Sequence, residues 1–244
     1  MKAIIIIPSR MSSRRLPGKP LMKIGGVPMI QRVWRQAINS NIGDVYVACA
    51  EKKIGDIIES AGGKVVMTDP DLPSGTDRVY DAFKKINNSK KIDAVINLQG
   101  DMPLINPKHI HDVLEPLKNM YEIGSLATDL EEYDFENENV TKVNIEWKNN
   151  NIGLAVSFFR KDSIMQNNIY HHVGIYSYTP QSLHKFVKLP RSKNEISLNL
   201  EQYRAMDANM KIGISYVKNA TFGIDTKEDL INAETIIKKK NENN

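Results

Sequence analysis

"AIIIIPSRMSSRRLPGKPL", residues 3–21, decides how the chain is read. Its first five residues are apolar and mostly β-branched, the pattern of a strand buried on both faces of a parallel sheet. Directly after them come Pro8, Ser9, Arg10, Arg14, Arg15, Gly18 and Lys19. A loop with four cations is costly to gather unless it is left to solvent or holds an anion. After the loop, 28–40 place Ile30, Val33, Trp34, Ala37 and Ile38 at helical spacing behind Pro28. Strand, loop and helix together form the first βα unit.

Outward from this unit the alternation continues. Strands are expected at 44–50, 64–68 and 93–101, and helices at 52–63, 74–86 and 106–120. This half reads as α/β with a mostly parallel sheet. The second half is less regular. Strands are expected at 123–130, 140–147, 154–160, 172–179 and 212–217, and helices at 180–188, 195–208 and 226–238. The Asn-rich 148–153 marks a turn, so 140–147 and 154–160 form a hairpin. No repeat or linker splits the 244 residues.

Composition narrows the function classes. Hydrophobic residues make up 41% and charged residues 25%, the profile of a soluble globular protein. The single cysteine, Cys49, allows no internal disulfide and suits a reducing cytoplasm; its plain reading is a small buried hydrophobe. The apolar start is too short for a signal peptide, and no apolar run reaches the ~18 residues of a membrane span. A net charge of +4, with no basic stripe interleaved with aromatics, argues against nucleic acid.

In open α/β sheets ligands bind beyond the carboxyl ends of the strands. The loops at 8–19, 68–77 and 98–104 fall there. The first matches neither the Walker pattern nor a dinucleotide fingerprint, since Gly18-Lys19 is followed by Pro20. Its donors and cations suit a triphosphate or a leaving pyrophosphate; the alternative is a solvated basic loop. Asp101 at a strand end is placed to bind Mg²⁺, which takes one or two carboxylates plus substrate phosphates. Asp225 is the candidate for a second carboxylate, or it is the N-cap of the last helix. Together these features describe Mg²⁺-dependent nucleotidyl transfer. Glu201 and Gln202 lie off a stripe formed by Ile196, Leu200 and Tyr203, facing either a cleft or solvent.

"IPSRMSSRRLPGKPL", "GGKVVMTDPDLPSGTDR", "NLQGDMPLI", "HHVGIYSYTPQSL", "LEQYRAMD" and "GIDTKEDL" occur in the order found in 3-deoxy-D-manno-octulosonate (Kdo) cytidylyltransferases, and the chain resembles that family over nearly its whole length. The resemblance implies a nucleotide-diphospho-sugar transferase-like, Rossmann-like mixed sheet: one domain over 1–244, with a β-rich dimerisation and sugar-side subdomain near 140–180. It implies attack by the anomeric hydroxyl of a 2-keto-3-deoxy sugar acid on the α-phosphorus of CTP, with Mg²⁺ required. Arg10, Arg15 and Lys19, with Pro8 and Ser9, are then the triphosphate loop, and Lys19, Arg15 and Asp101 the catalytic set. Ser74 and Gly75 belong to the cytosine pocket and Gln99 to nucleotide and sugar. Asp101 and Asp225 hold the metal; Arg160, His172, Tyr176, Glu201 and Gln202 line the sugar side. A homodimer is implied.

Two departures from the family pattern touch the acceptor side. Met102 stands where a carboxylate usually follows Asp101, and "KDSIMQNNIYH" (161–171) is short and lacks an Ile-Pro-aromatic stretch. The expected acceptor is Kdo, an amino-substituted Kdo, a nonulosonate or a phosphonate; a non-catalytic nucleotide-binding protein is the other class. His109, His111 and His171 are expected to be structural or solvated. Lys19, as a loop lysine, is expected to add little to folding.

Overall fold

The computed structural model describes every residue except 13–14, 87–90, 162–167, 222 and 243–244. Arg14 and most of the short 161–171 segment therefore lie outside the described residues. The chain divides into two compact units: residues 1–92, 97–110 and 221–244, and residues 93–96 and 111–220.

In the first unit β1 (Ala3–Ser9) carries four consecutive isoleucines with no exposed surface. Each buried side chain of this kind contributes about 1.5–3 kcal/mol. The loop after β1 ends in a short hairpin, β2 (Lys23–Ile24) and β3 (Val27–Pro28), that leads into α1 (Met29–Asn39). β4 (Gly43–Cys49) pairs parallel with β1, from Ala3 opposite Gly43 to Ser9 opposite Cys49. β5 (Lys64–Met67) pairs parallel with β4. α1, α2 (Lys52–Ser60) and α3 (Gly75–Lys85) pack on these strands, as the alternation predicts. α1 buries Met29, Ile30, Val33 and Ala37, whereas Ile38 is 47% exposed, so the buried stripe is narrower than its apolar content suggests. Cys49 is buried in the sheet, and burial pushes its thiol up to about 11, as an inert hydrophobe requires.

The chain passes between the units at β6 (Ala94–Asn97). The helix expected over 106–120 is two pieces, α4 (Pro107–Asp112) and α5 (Glu115–Lys118). Pro116 explains the break, since its ring clashes with the carbonyl of Asp112 and it has no N–H to donate.

The second unit holds a mixed sheet. β7 (Ile123–Thr128) lies parallel to β11 (Ile212–Tyr216), while β8 (Lys142–Trp147), β9 (Ile152–Phe159) and β10 (Ile169–Tyr178) run antiparallel to their partners. β10 also pairs with β8 through Ile169–His171, so β10, β7, β11, β9 and β8 return on themselves in a ring. The hairpin expected at 140–160 is present, and the ring encloses Val143, Ile145 and Phe158. A closed ring leaves neither hairpin strand as an open edge.

α6 (Pro180–Lys188) follows β10. The helix expected at 195–208 is again two, α7 (Lys193–Leu198) and α8 (Gln202–Met206). Asn199 takes a left-handed φ of 53° and ends α7. The break resets the helical register. Ile196 is 59% exposed, and Glu195 is the residue that turns inward.

Candidate active site

The basic loop is held in shape by its own backbone. Gly18, at a φ of 73° that side chains disfavour, donates its N–H to the Met11 carbonyl and turns the chain into the 3₁₀ turn Lys19–Leu21. Leu16 packs beneath it with Ile24, Met29, Ile224, Ala233 and Ile237. The lysine side chain is thereby carried over a small apolar core.

Lys19 lies in a cluster of charges. Its Nζ is 2.6 Å from Asp101 Oδ2, 3.1 Å from Asp225 Oδ1 and 3.0 Å from the Ile224 carbonyl. Arg15 reaches the other oxygen of Asp225 at 2.7 Å. Burial alone would lower the Lys19 pKa, but the two carboxylates outweigh it and hold the ammonium above its ordinary value. The Lys19 side chain is only 13% exposed, which corrects the expectation of an exposed loop lysine.

Asp101 and Asp225, 124 positions apart in sequence, are brought together by a backbone bond. The Ile224 N–H donates to the Asp101 carbonyl at 2.9 Å. Gly223 leaves the carboxylate room, since a Cβ there would lie 3.1 Å from Asp101 Oδ1. The capping alternative for Asp225 resolves onto its neighbour. Thr226 Oγ1 accepts from the Asp229 N–H, and the Asp229 carboxylate accepts from the N–H groups of Asp225 and Thr226. The Asp225 carboxylate has no part in this cap and faces the cations.

Two carboxylates and a carbonyl around one cation are the donor set that suits Mg²⁺, with phosphates completing the shell. The ammonium of Lys19 stands in for a cation at this place. Among the described residues no place gathers three or more His, Cys, Asp or Glu side chains that could hold a metal, and this cluster supplies two.

Around the remaining loops, Ser74 caps α3, accepting from the Asp77 N–H and bonding the Asp77 carboxylate. Pro8, Gly75 and Gln99 converge: a Cβ on Gly75 would meet Gln99 Oε1 at 3.5 Å and the Pro8 ring at 3.6 Å. Gln99 Nε2 donates to Asn97 Oδ1, and Asn97 Nδ2 donates to Thr76 Oγ1. Ser9 is buried and Arg10 exposed at the end of β1. Sequence reasoning passed over Arg78. It is 1% exposed and donates to Thr68 Oγ1 and the Asp69 carbonyl, fixing the 68–70 loop. Its signal was legible as an arginine on the buried stripe of α3, beside Val79 and one turn before Ala82.

Of the residues expected on the sugar side, Gln99 belongs to the first unit and Arg160, His172, Tyr176, Glu201 and Gln202 to the second. His172 lies inside β10 rather than at its start, with Nε2 2.9 Å from Ser125 Oγ. Burial, with His171 alongside, pushes its pKa down to about 3, so it is neutral. Gln202 donates to the Tyr176 hydroxyl at 2.8 Å and is largely buried rather than turned to solvent. Glu201, Gln202 and Tyr176 line a small cavity with Tyr178 and Phe186. Arg160 donates to the carbonyls of Glu138 and Asn139, while the buried Lys142 ammonium donates to the carbonyls of Arg160 and Asn137. Of the remaining histidines, His109 and His171 are buried and His111 is exposed.

A parallel α/β sheet whose first loop sets cations against the carboxylates of Asp101, in the loop after β6, and Asp225, just ahead of the C-terminal helix, fits a nucleotidyltransferase. The comparisons narrow that class. A family model described as cytidylyltransferase matches residues 4–212. The 3-deoxy-manno-octulosonate cytidylyltransferase of Paramagnetospirillum magneticum is 40% identical over 240 residues, covering 96% of this chain and 97% of that protein. Its counterpart from Bradyrhizobium sp. (strain ORS 278) is 42% identical over 241 residues, covering 98% of each. The solved structure of CMP:2-keto-3-deoxy-manno-octonic acid synthetase complexed with CTP superposes with a TM-score of 0.88 at 31% identity, covering 98% of this chain and all of that one. The chain belongs to the cytidylyltransferase family and is a nucleotidyltransferase enzyme. No helix among the described residues is long and apolar enough to cross a membrane.

Proposed function

We propose that the enzyme transfers CMP from CTP to the anomeric hydroxyl of a 3-deoxy-2-keto sugar acid, with Kdo as the acceptor, and releases pyrophosphate. The observation that carries this reading is the cluster of Lys19, Arg15, Asp101 and Asp225, two cations and two carboxylates at one loop cluster. Support comes from the relatives named for Kdo cytidylyl transfer and the neighbouring structure complexed with CTP.

In this reading Arg10, Arg15 and Lys19 bind the triphosphate and spread the charge that grows as the bond to pyrophosphate breaks. Asp101 and Asp225 hold Mg²⁺, which when bound supplies Lewis acidity and lowers the pKa of a coordinated hydroxyl. Pro8, Ser9, Gly75 and the backbone at Ser74 receive the nucleotide, the Ser74 hydroxyl being committed to its cap. Gln99 presents Oε1, its amide orientation set by Asn97. Arg160, His172, Tyr176, Glu201 and Gln202 serve the acceptor, with His172 as a neutral hydrogen-bonding group and no base.

The reading extends to a single functional domain over 1–244 whose β-rich part near 140–180 forms a homodimer; Val156 on β9, 49% exposed, is an apolar residue available to such a contact. Sedimentation velocity measures that association. A cytoplasmic location follows from the use of CTP.

The test is pyrophosphate release across the four nucleoside triphosphates and a panel of acidic sugars, read as kcat/KM. CTP with Kdo should exceed every other pair. A second acceptor reading, amino-substituted Kdo or another acidic sugar, rests on Met102, 2% exposed where the resemblance expects a carboxylate. Kdo inert beside an efficiently used acidic acceptor would select it, and CTP bound without turnover of any acceptor would overturn catalysis.

A further inference from the structure

We propose that Lys19 is the resident occupant of the cation position between Asp101 and Asp225, so that a divalent metal binds tightly there only after nucleotide phosphates draw the ammonium away. The inference rests on the metal-and-triphosphate reading above and adds to it a coupling between the two ligands.

An ammonium has three protons to donate. Lys19 directs its Nζ to three oxygens, Asp101 Oδ2, Asp225 Oδ1 and the Ile224 carbonyl, at 2.6, 3.1 and 3.0 Å. Its donor capacity is filled by the oxygens that a metal would use. A hard divalent cation and an ammonium cannot share that place, because like charges a few ångströms apart repel strongly away from bulk water. A metal entering alone would strand a largely buried lysine without these acceptors, which is costly. Phosphate oxygens remove that obstacle by offering the ammonium new acceptors of higher charge.

The backbone of Lys19 is fixed by Gly18 at φ 73° and by Pro20 in the 3₁₀ turn, so the exchange falls to its flexible four-carbon stem. Arg15 is the internal contrast. It pairs with the other oxygen of Asp225, Oδ2, at 2.7 Å, and its side chain is 47% exposed. It neutralises the same cluster without occupying its centre. Coupling between two ligands is reciprocal. Metal should therefore tighten nucleotide by the same factor by which nucleotide tightens metal.

The experiment measures Mn²⁺ binding to the full-length protein by electron paramagnetic resonance, with no nucleotide and hence no turnover. Lys19→Met should bind Mn²⁺ at least tenfold more tightly than the unaltered protein, Arg15→Met should change affinity less than threefold, and adding Asp101→Asn to Lys19→Met should abolish the gain. Equal gains from Lys19→Met and Arg15→Met would show that net charge, not occupancy, governs the site and would overturn the proposal. So would no gain from Lys19→Met. Circular dichroism verifies folding of each variant. Should Lys19→Met not fold, the ammonium itself gives the readout in the unaltered protein. Its ¹⁵N–¹H signal should be protected from exchange in the free state and change on adding CTP with Mg²⁺ but not Mg²⁺ alone; a change with Mg²⁺ alone overturns the proposal. The parent reading fails separately, if Mn²⁺ binds neither the free protein nor its CTP complex beyond what free CTP chelates.

Discussion

The charge cluster around Lys19 and the polar pairs behind α7 and α8 use similar groups to opposite effect. Around Lys19, side chains are 13–47% exposed, and two cations and two carboxylates share bonds that a ligand can exchange. In the second unit Glu195 and Arg204 are 3% exposed each and bonded twice, at 2.9 and 2.7 Å, with Arg191 as a further donor to Glu195. Burial would raise the Glu195 pKa, but these guanidinium bonds outweigh it and hold the carboxylate below its usual range. The contrast teaches that a buried charge is not by itself a sign of chemistry. A cluster left partly open, with partners that can be replaced, is one.

The largest effects should break that contrast from the open side. Asp101→Asn and Asp225→Asn should each lower kcat/KM by roughly 10²–10³-fold or more, the scale of losing one charge-stabilising group at a reacting centre. Chelation by EDTA should do the same and be reversed by Mg²⁺. Lys19→Ala should lose activity on that scale and also stability, by about 1–2 kcal/mol after discounting for solvent, because it strips a charged hydrogen-bond donor from two carboxylates. Urea denaturation checks the second part; an unchanged midpoint would mean that the bonds seen here add nothing to folding.

From the closed side the effect should fall chiefly on stability, with Arg204 also 3.7 Å from Glu201. Arg204→Met leaves Glu195 buried with Arg191 as its main partner and should cost about 3–5 kcal/mol. Arg204→Met with Glu195→Gln should recover much of it. If the single variant instead lost activity while its unfolding midpoint held, the closed cluster would belong to the site.

Much of this was legible and some was not, for physical reasons. The parallel strands and their helices could be read because a continuous Ile run and 3.6-residue periodicity each report burial locally. Asp101 and Lys19 could be singled out because strand ends and Gly-flanked lysines are positional signals. The split of 195–208 was not legible. Ile196, Leu200 and Tyr203 fit one helical stripe, and only the left-handed Asn199 shows that Ile196 faces solvent. Nothing local in the sequence marks Glu195 as buried, since its partner Arg204 lies on the next helix. Nor could the closing of the hairpin by β10 be read, since the pairing of Ile169 with Asn144 is a long-range contact with no local signature.

A pH titration sharpens the comparison further. Burial holds His171 and His172 at about 4 and about 3, below the ordinary histidine value near 6.5. Unfolded histidines take up protons below that value and the folded ones do not. Stability should therefore be full above pH 6.5 and fall as pH drops toward the folded values, by up to about 1.4 kcal/mol per pH unit for each group. Urea midpoints at pH 7.5 and 5 measure it, and His171→Asn with His172→Gln should flatten the difference. A slope unchanged in that double variant would assign the acid sensitivity elsewhere.

The smallest effect separates two neighbouring residues that sequence reading could not. At the start of the C-terminal helix Thr226 Oγ1 accepts from the Asp229 N–H, while the Asp225 carboxylate points to Lys19 and Arg15. Thr226→Ala removes a cap and should cost about 1 kcal/mol of stability. Activity should change little, because the Asp229 carboxylate still accepts from the Asp225 N–H and keeps that backbone in place. Asp225→Asn should act chiefly on activity, since it brings no charge to a metal while the cap formed by Thr226 and Asp229 stays in place. Measuring the unfolding midpoint and kcat/KM on both variants gives a crossed result. If Asp225→Asn kept full activity, the carboxylate would be a partner for Lys19 and Arg15 and nothing more. If Thr226→Ala lost as much activity as Asp225→Asn, the cap would be part of how the carboxylate is aimed, and the closed and open kinds of polar cluster would meet in a single turn of helix.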